Sequence, residues 1–405
     1  MDLIVILLLC IEALFALWLL WRAGLLRDRR VLLLSVLLTA AAFVLRGACL
    51  AYETLDYRDF LSKWVAFYRD NLGFRSLSYP LGNYNIPYLY FLCFFSYLPI
   101  RDLYLIKLLS IFFDVLLAWS AMKLCAVCGS GKRMQLGCFF TVLFLPTVVL
   151  NGALWGQCDS IYVSLALMGL WLALEDRPVL SILCFTLSFG FKLQAVFVLP
   201  ILAVLWFRGN YKLWHFLLFP AFYVLLVLPA VLLGKPFLET LTLYTSQTGS
   251  IGTGLNYNSP SVYALFYRAP ATRANANLGI VAAFAWMTAM LLFCLIRSRR
   301  LSARAVVAAA LLLAVGIPFF LPHMHERYFF AADILSVVLA FAFPYMATAA
   351  MLTQFASLLG YHAYLKMRYL LFMNHGARAL IAVLALASAF LIWETRSGKK
   401  GKSVF

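Results

Sequence analysis

Three carboxylates, Glu53, Asp56 and Asp59, fall within seven residues of one another, just past an apolar run long enough to cross a bilayer. A carboxylate held against a hydroxyl can take its proton while that oxygen forms a new bond, which is general-base chemistry. Asp also caps helices, by accepting hydrogen bonds from the orphan N–H groups of the first turn. Asp59, directly before the amphipathic stretch that starts at Phe60, is the better-placed cap, which leaves Asp56 as the base; Glu53 reads as interfacial. Downstream, Trp155-Gly-Gln157-Cys-Asp159-Ser160 has the groups either to bind sugar hydroxyls or to cap a helix beginning at Ile161. Lys192 interrupts an apolar run, where it either snorkels to the interface or holds a phosphate as a point charge. The densest polar run of the second half is His323-Met-His325-Glu326-Arg327-Tyr328. Arg327 offers a planar fork of donors matched to phosphate oxygens; the plainer alternative is an ion pair within the run, Glu326 with Arg327 or a histidine.

Other motifs fall short of their usual chemistry. The spacing HExxH is absent, and Cys125-Ala-Val-Cys128 has no second ligand pair, so no metal is expected. The nine cysteines lie mostly within apolar runs and suggest packing and not a disulfide framework. Gly129-Ser-Gly131-Lys132-Arg133 lacks the first glycine of a phosphate loop, with Ala126 in its place. Gly249-Ser-Ile-Gly252-Thr-Gly254 has no following strand–helix context.

The elements that must position these residues are membrane helices. The chain has 405 residues, 65% of them apolar and only 12% charged, with a mean hydropathy of +0.92. Apolar runs follow one another almost continuously and lack the alternation of a barrel, so the predicted fold is an all-α polytopic bundle, a single unit over 1–405 with about 13 spans. The first run has no cationic leader and no small-residue cleavage site, so it reads as a retained span. The net charge of +17 would suggest nucleic acid in a soluble protein. Here the basic residues sit in short loops, Arg22 to Arg30, Lys132 and Arg133, Arg208 and Lys212, Arg297 to Arg304, and the tail from Arg396 to Lys402, which marks those loops as cytoplasmic. The long loop 52–102 and a second one, 234–277, are then extracytoplasmic. Within the first, two amphipathic stretches, Phe60–Asn71 and Pro87–Leu98, are expected to lie along the membrane surface. This threading brings Asp56 and Asp59, Gln157 and Asp159, Lys192 and Gln194, and the His323–Arg327 cluster to one face.

In that order the motifs resemble the C-type (GT-C) superfamily of polytopic glycosyltransferases, in particular bacterial relatives of the second mannosyltransferase of glycosylphosphatidylinositol assembly. A more distant likeness is to the glucosyltransferases that use dolichyl-phosphate glucose in asparagine-glycan assembly. The resemblance covers roughly residues 50–330 and is carried by Asp56-Tyr57 with Trp64, Asn83-Tyr84-Asn85-Ile86-Pro87-Tyr88, Trp155 to Ser160, Phe191-Lys192-Leu-Gln194, and His325-Glu326-Arg327-Tyr328. It departs from the family at Asn85-Ile86, where paired prolines are usual, at the Leu193-Gln194 order, and by one extra span before the usual first helix.

The resemblance implies inverting transfer of a hexose, mannose or glucose, from a polyprenyl-phosphate sugar to a lipid-linked or surface glycan. The transfer would take place at the extracytoplasmic face of a bacterial cytoplasmic membrane, or of the endoplasmic reticulum in a eukaryote. Asp56 would be the base, and Lys192, His325 and Arg327 would hold the donor phosphate. Asp59, Tyr88, Gln157, Asp159, Gln194, Glu326 and Tyr328 would surround the substrates. No cofactor and no nucleic acid are implied, only donor, acceptor and membrane lipid. The competing class is a transporter or flippase of lipid-linked sugars, because charges within a membrane also mark transport paths.

Overall fold

The structure, a computed structural model, describes residues 3–82, 84–249, 254–266 and 268–397. Asn83, residues 250–253 of the glycine-containing run, and the tail lysines Lys399, Lys400 and Lys402 lie outside the described residues.

Among the described residues the fold is all-α apart from one pair of two-residue strands. Two lipid-facing helices open it, α1 (Leu3–Arg22) and α2 (Arg29–Cys49). Asp28 starts α2 by accepting from the Arg30 and Val31 N–H groups at 2.9 and 3.1 Å. The outer loop carries α3 (Ser62–Asp70) and α4 (Ile86–Phe95). Next come α5 (Asp102–Val127), α6 (Lys132–Phe144), the short α7 (Pro146–Val149), α8 (Asp159–Leu174), α9 (Pro178–Phe191) and α10 (Ile201–Arg208). The second half holds α11 (Leu218–Leu232), α12 (Phe237–Gly249), α13 (Arg273–Ile296), α14 (Ala303–Phe320), α15 (Phe330–Ala342), α16 (Ala347–Leu365) and α17 (Asn374–Ser397). Strands β1 (Asn256–Tyr257) and β2 (Met324–His325) pair in parallel.

Among the described residues seven helices are long and apolar enough to cross a membrane, or eight if the bent pair Lys132–Phe144 and Pro146–Trp155 is one span. The sequence expectation of about 13 is thereby corrected. Asp159–Leu174, Pro178–Phe191 and Phe330–Ala342 are apolar but short; at about 1.5 Å per residue none reaches across a core of about 30 Å. They are apolar because they are buried inside the bundle, with α8 and α15 covered along most of their length. The stretch 87–98 also differs from expectation. Its helix α4 is no surface helix, since Ile86, Leu89, Leu92 and Cys93 are all buried. Asn85 fixes where it begins, its Oδ1 accepting from the Ile86 N–H and its Nδ2 donating to Tyr223 Oη on α11, both at 2.9 Å. By contrast α3 is amphipathic as expected, with Trp64, Val65 and Tyr68 buried and Lys63, Arg69 and Asp70 exposed.

Helices on the outside expose apolar side chains at helical spacing, such as Leu278, Val281, Phe284 and Leu292 on α13, which is how a lipid-facing helix differs from a soluble one. Inside, α14 is fully buried from Ala305 to Val315. Its small residues let neighbours approach closely: a Cβ on Gly316 would lie 2.0 Å from the Trp286 indole nitrogen.

One buried ionic knot ties α2, α5 and α8 together. Arg46 donates from Nε and Nη2 to Asp114 Oδ2 at 3.1 and 3.0 Å and from Nη2 to the Leu143 carbonyl at 2.9 Å, and Ser160 Oγ donates to Asp114 Oδ1 at 2.5 Å. Neither charged side chain is exposed. Breaking such a pair leaves a bare charge, whereas replacing both partners by apolar groups is nearly neutral. Asp114→Ala is therefore expected to cost about 3–5 kcal/mol in unfolding free energy, and the pair Arg46→Met with Asp114→Leu much less. Denaturant unfolding in detergent micelles checks both, and equal losses would contradict the assignment.

Candidate active site

The loop after α2 becomes a site because the chain does three unusual things where the polar residues fall. After Asp56 it makes a single π-helical turn, Tyr57–Leu61, and a second one, Leu150–Trp155, ends at Gly156 in the left-handed region. Such turns insert an extra residue, re-aim side chains and are common at functional sites. Thirdly, His323 adopts φ of 63°, held there by its N–H on the Leu255 carbonyl at 2.8 Å and by an Nδ1 contact with the Gly254 carbonyl at 2.6 Å. A non-glycine residue in that region carries strain that its surroundings must offset. The resulting strand pair aligns Tyr257 with His325, and their rings stack at 4.9 Å. Thr54 Oγ1, donating to the Trp155 carbonyl at 3.2 Å, ties the first loop to the second.

The three loops meet around Asp56. Its Oδ2 accepts from Trp155 Nε1 at 2.9 Å and Gln157 Nε2 at 2.7 Å, and its Oδ1 accepts from the Tyr364 hydroxyl at 2.8 Å. An ionised carboxylate has about four lone-pair positions, so three are filled by fixed donors and one is left for a ligand. Trp155 and Tyr364 stack at 4.2 Å, which fixes both donors in place. The cavity in front of Asp56 has a volume of about 280 Å³. It is lined by Asp56, Phe60, Leu61, Trp64, Tyr84, Gln157, His325, Arg327, Tyr328 and Tyr364. Gly82, at φ of +69°, lets the chain pass the Trp64 ring, where a Cβ would come within 2.8 Å. Burial is the leading cause that pushes the Tyr84 phenol well above its ordinary pKa, so it faces the cavity as a neutral group.

Behind this wall the cations are partnered. Lys192, extended between α9 and the short 3-10 turn Leu193–Phe197, donates to Asp159 Oδ1 at 2.6 Å and is almost fully buried. Asn151 Nδ2 holds the other oxygen of Asp159 at 2.8 Å, and Arg327 Nε stands 3.7 Å from it. Arg327 Nη1 donates to Glu326 Oε1 at 2.9 Å, and His325 Nδ1 lies 3.8 Å from Glu326 Oε2. The guanidinium also sits over the Trp155 ring at 5.3 Å. Burial opposes its charge, but the Glu326 and Asp159 carboxylates outweigh burial and hold its pKa well above the ordinary value. Its Nε has no hydrogen-bond partner among the described residues. A guanidinium carries five N–H donors, so this one keeps donors to spare for an anion.

The geometry sorts the residues expected from sequence. Asp56, Gln157, His325, Arg327 and Tyr328 line one cavity. Lys192, Asp159 and Glu326 stand immediately behind it as the partners of one another and of Arg327. Tyr88 is buried beside Tyr84, at 4.7 Å between ring centroids. Asp59 points out to solvent and Gln194 is half-buried; neither lines the cavity. Asp56, and not Asp59, holds the N-cap position of the π turn, with no side-chain capping bond. Glu53 pairs with Arg101 at the surface. Asp159 does not cap α8, whose N-cap position is Cys158; its carboxylate is paired with Lys192. Residues that sequence reasoning did not single out are Trp155 as a donor to Asp56, Tyr84, and above all Tyr364, 308 positions away from Asp56. Tyr361 and Tyr364, one helical turn apart on α16, were the available signal. Among the described residues no group of three or more His, Cys, Asp or Glu is placed to hold a metal ion.

At the other end of the bundle the basic loops adjoin one another. Lys132 Nζ reaches the Gly24 carbonyl at 3.5 Å, Arg208 Nε donates to the Leu301 carbonyl at 2.9 Å, and Arg304 lies 3.4 Å from Glu394.

No curated protein matches this chain. The family model described as "Alpha-(1->6)-mannopyranosyltransferase, N-terminal domain" matches residues 97–208, a little over a quarter of the length. That stretch runs from just before α5 to the end of α10 and carries Trp155, Gln157, Asp159 and Lys192, whereas Asp56, His325, Arg327 and Tyr364 lie outside it. Over that stretch the chain is similar to a mannosyltransferase N-terminal domain, and the helices long and apolar enough to cross a bilayer make it a multi-pass membrane protein.

Proposed function

We propose that the chain transfers mannose from a polyprenyl-phosphate mannose to a lipid-linked or surface glycan, with inversion, at the extracytoplasmic face of a bacterial cytoplasmic membrane. The observation that carries this reading is one cavity with a carboxylate on one wall and a partly unsatisfied guanidinium on another. The acceptor hydroxyl takes the open lone-pair position of Asp56 and gives up its proton there as its oxygen attacks C1 of the sugar. The C1–O bond to phosphate breaks on the opposite side, and the electron pair leaves with the phosphate. Arg327 and His325 face that developing negative charge, and the largely covered Arg327 acts as a fixed donor in a partly desolvated setting, where it stabilises charge more than in bulk solvent. Lys192 serves the same end at one remove, by neutralising Asp159 so that Arg327 is not fully spent on it.

Two features support the outer face. The site loops share one end of the bundle, and the basic loops gather at the other, as the positive-inside pattern requires. The transporter alternative is set aside on the enzyme match and because the charged residues that line the cavity, Asp56, His325 and Arg327, lie outside the helices long enough to span a membrane.

One-step displacement has a stereochemical consequence. If the product linkage is α, as in the matched family's description, the donor must be the β-anomer. The test is the purified chain in lipid nanodiscs with radiolabelled polyprenyl-phosphate β-mannose and an octyl mannoside acceptor. An α-mannosidase-sensitive product is expected. A β-linked product, or labelled lipid crossing liposomes without product, would overturn the reading.

A further inference from the structure

A second cavity, larger than the first at about 620 Å³, lies on the far side of the β1–β2 strand pair. Three amides, Asn256, Asn258 and Asn374, and two phenols, Tyr263 and Tyr369, stand in a lining that is otherwise apolar, with Phe266 among it. None of its described lining residues is charged. It adjoins the Asp56 cavity through Asn258, which forms a bridge with His325, a lining residue of that smaller space. Asn374, at the start of α17, is one of its lining residues, and its buried Oδ1 has no hydrogen-bond partner among the described residues. Tyr369 stands at the rim, more than half exposed, with its hydroxyl donating to Asn258 Oδ1 at 2.5 Å.

We propose that this cavity binds the neutral glycan end of the acceptor, with its terminal sugar at the Asn258–His325 edge where the two cavities adjoin. Amides and phenols both donate and accept, which suits sugar hydroxyls, and aromatic faces suit the apolar faces of sugar rings. An uncharged lining of this kind offers nothing to repay the desolvation of a phosphate. Its size falls within the range of small-molecule sites lined by apolar surface with a few placed polar groups. The division of labour follows: charge for the donor in the small cavity, neutral hydrogen bonding for the acceptor in the large one. This inference rests on the glycosyl-transfer reading.

The test uses the full chain in nanodiscs and a neutral probe, octyl α-D-mannopyranosyl-(1→6)-α-D-mannopyranoside. Ala269→Trp fills the cavity, and Tyr369→Phe removes only the rim hydroxyl. Ala269→Trp is expected to raise KM for the glycoside about tenfold or more, and Tyr369→Phe by roughly threefold, the scale of one lost hydrogen bond. Donor KM, and release of mannose from the donor to water without acceptor, should stay within about twofold. Glycoside KM unchanged in both variants, or donor KM rising in parallel, would overturn the inference. Saturation-transfer NMR with the same glycoside gives a readout without turnover: a signal is expected in the native chain and its loss in Ala269→Trp, and any other outcome overturns the inference. A native chain that neither binds nor hydrolyses polyprenyl-phosphate mannose would defeat the donor reading instead, and the NMR result would still decide the glycan cavity.

Discussion

Asp56→Asn is expected to lower transfer by about 10²–10⁴-fold, the usual worth of a positioned general base, with donor affinity unchanged. Asparagine matches aspartate in shape, and the surrounding donors tolerate it. Its carbonyl can accept from Trp155 Nε1 and Gln157 Nε2, and its amide can donate to the Tyr364 oxygen, which rotates its own proton away. The variant should therefore fold and melt like the native chain, and the loss should appear in kcat, not in donor KM. Tritium-labelled product formation under saturating donor checks it. Unchanged kcat would remove Asp56 from the chemistry and leave it as a tie between the two π turns.

Arg327→Ala should lower kcat/KM for the donor by about 100-fold or more, the range seen when a preorganised donor to developing charge is removed. The residue is enclosed by Glu326, Asp159 and the Trp155 ring, so truncation also leaves two carboxylates with fewer partners and should lower stability. Arg327→Lys separates the two effects. It restores a charge to Glu326 and Asp159 but not the planar fork, so thermal stability should recover while donor binding stays weak. Kinetics with varied donor, beside melting curves of both variants, reads the difference. If Arg327→Lys restored donor kcat/KM fully, the site would need only a charge and the fork would carry no specificity.

The polar residues were legible in the sequence because each interrupts an apolar setting, where a charged or amide side chain must have a reason to be present. Asp56, Gln157, His325, Arg327 and Tyr328 are such residues, and they line one cavity. That logic could not find their partners. Whether Lys192 reaches a phosphate or Asp159 depends on where α9 ends relative to α8, and a one-residue change in the extended step at Lys192 would alter the answer. Tyr364 was invisible for a similar reason: a tyrosine near the end of an apolar helix is ordinary until the helix is packed against Trp155. Asp59 was credited by proximity alone, and the π turn that brings Asp56 inward sends Asp59 out.

The helical class was legible from composition, and the number of spans was not. An apolar run is written the same way for a helix in lipid and for a short one enclosed by other helices. Length separates them only when the ends are known. The buried α8, α9 and α15 and the broken α6–α7 segment show how that ambiguity inflated the count. For α4, shortness and the side on which Lys132 and Arg133 must fall point to a surface helix, whereas Tyr223 on a distant helix supplies the bond that seats it inside.

The most direct measurement is the cryo-EM structure of the Asp56→Asn chain with polyprenyl-phosphate mannose bound in nanodiscs. The account expects the phosphate within hydrogen-bonding distance of Arg327 and the sugar C1 between it and the side chain at position 56. Phosphate density at the opposite end of the bundle, among Arg297 to Arg304, or a sugar too far from position 56 for a shared acceptor hydroxyl, would contradict it.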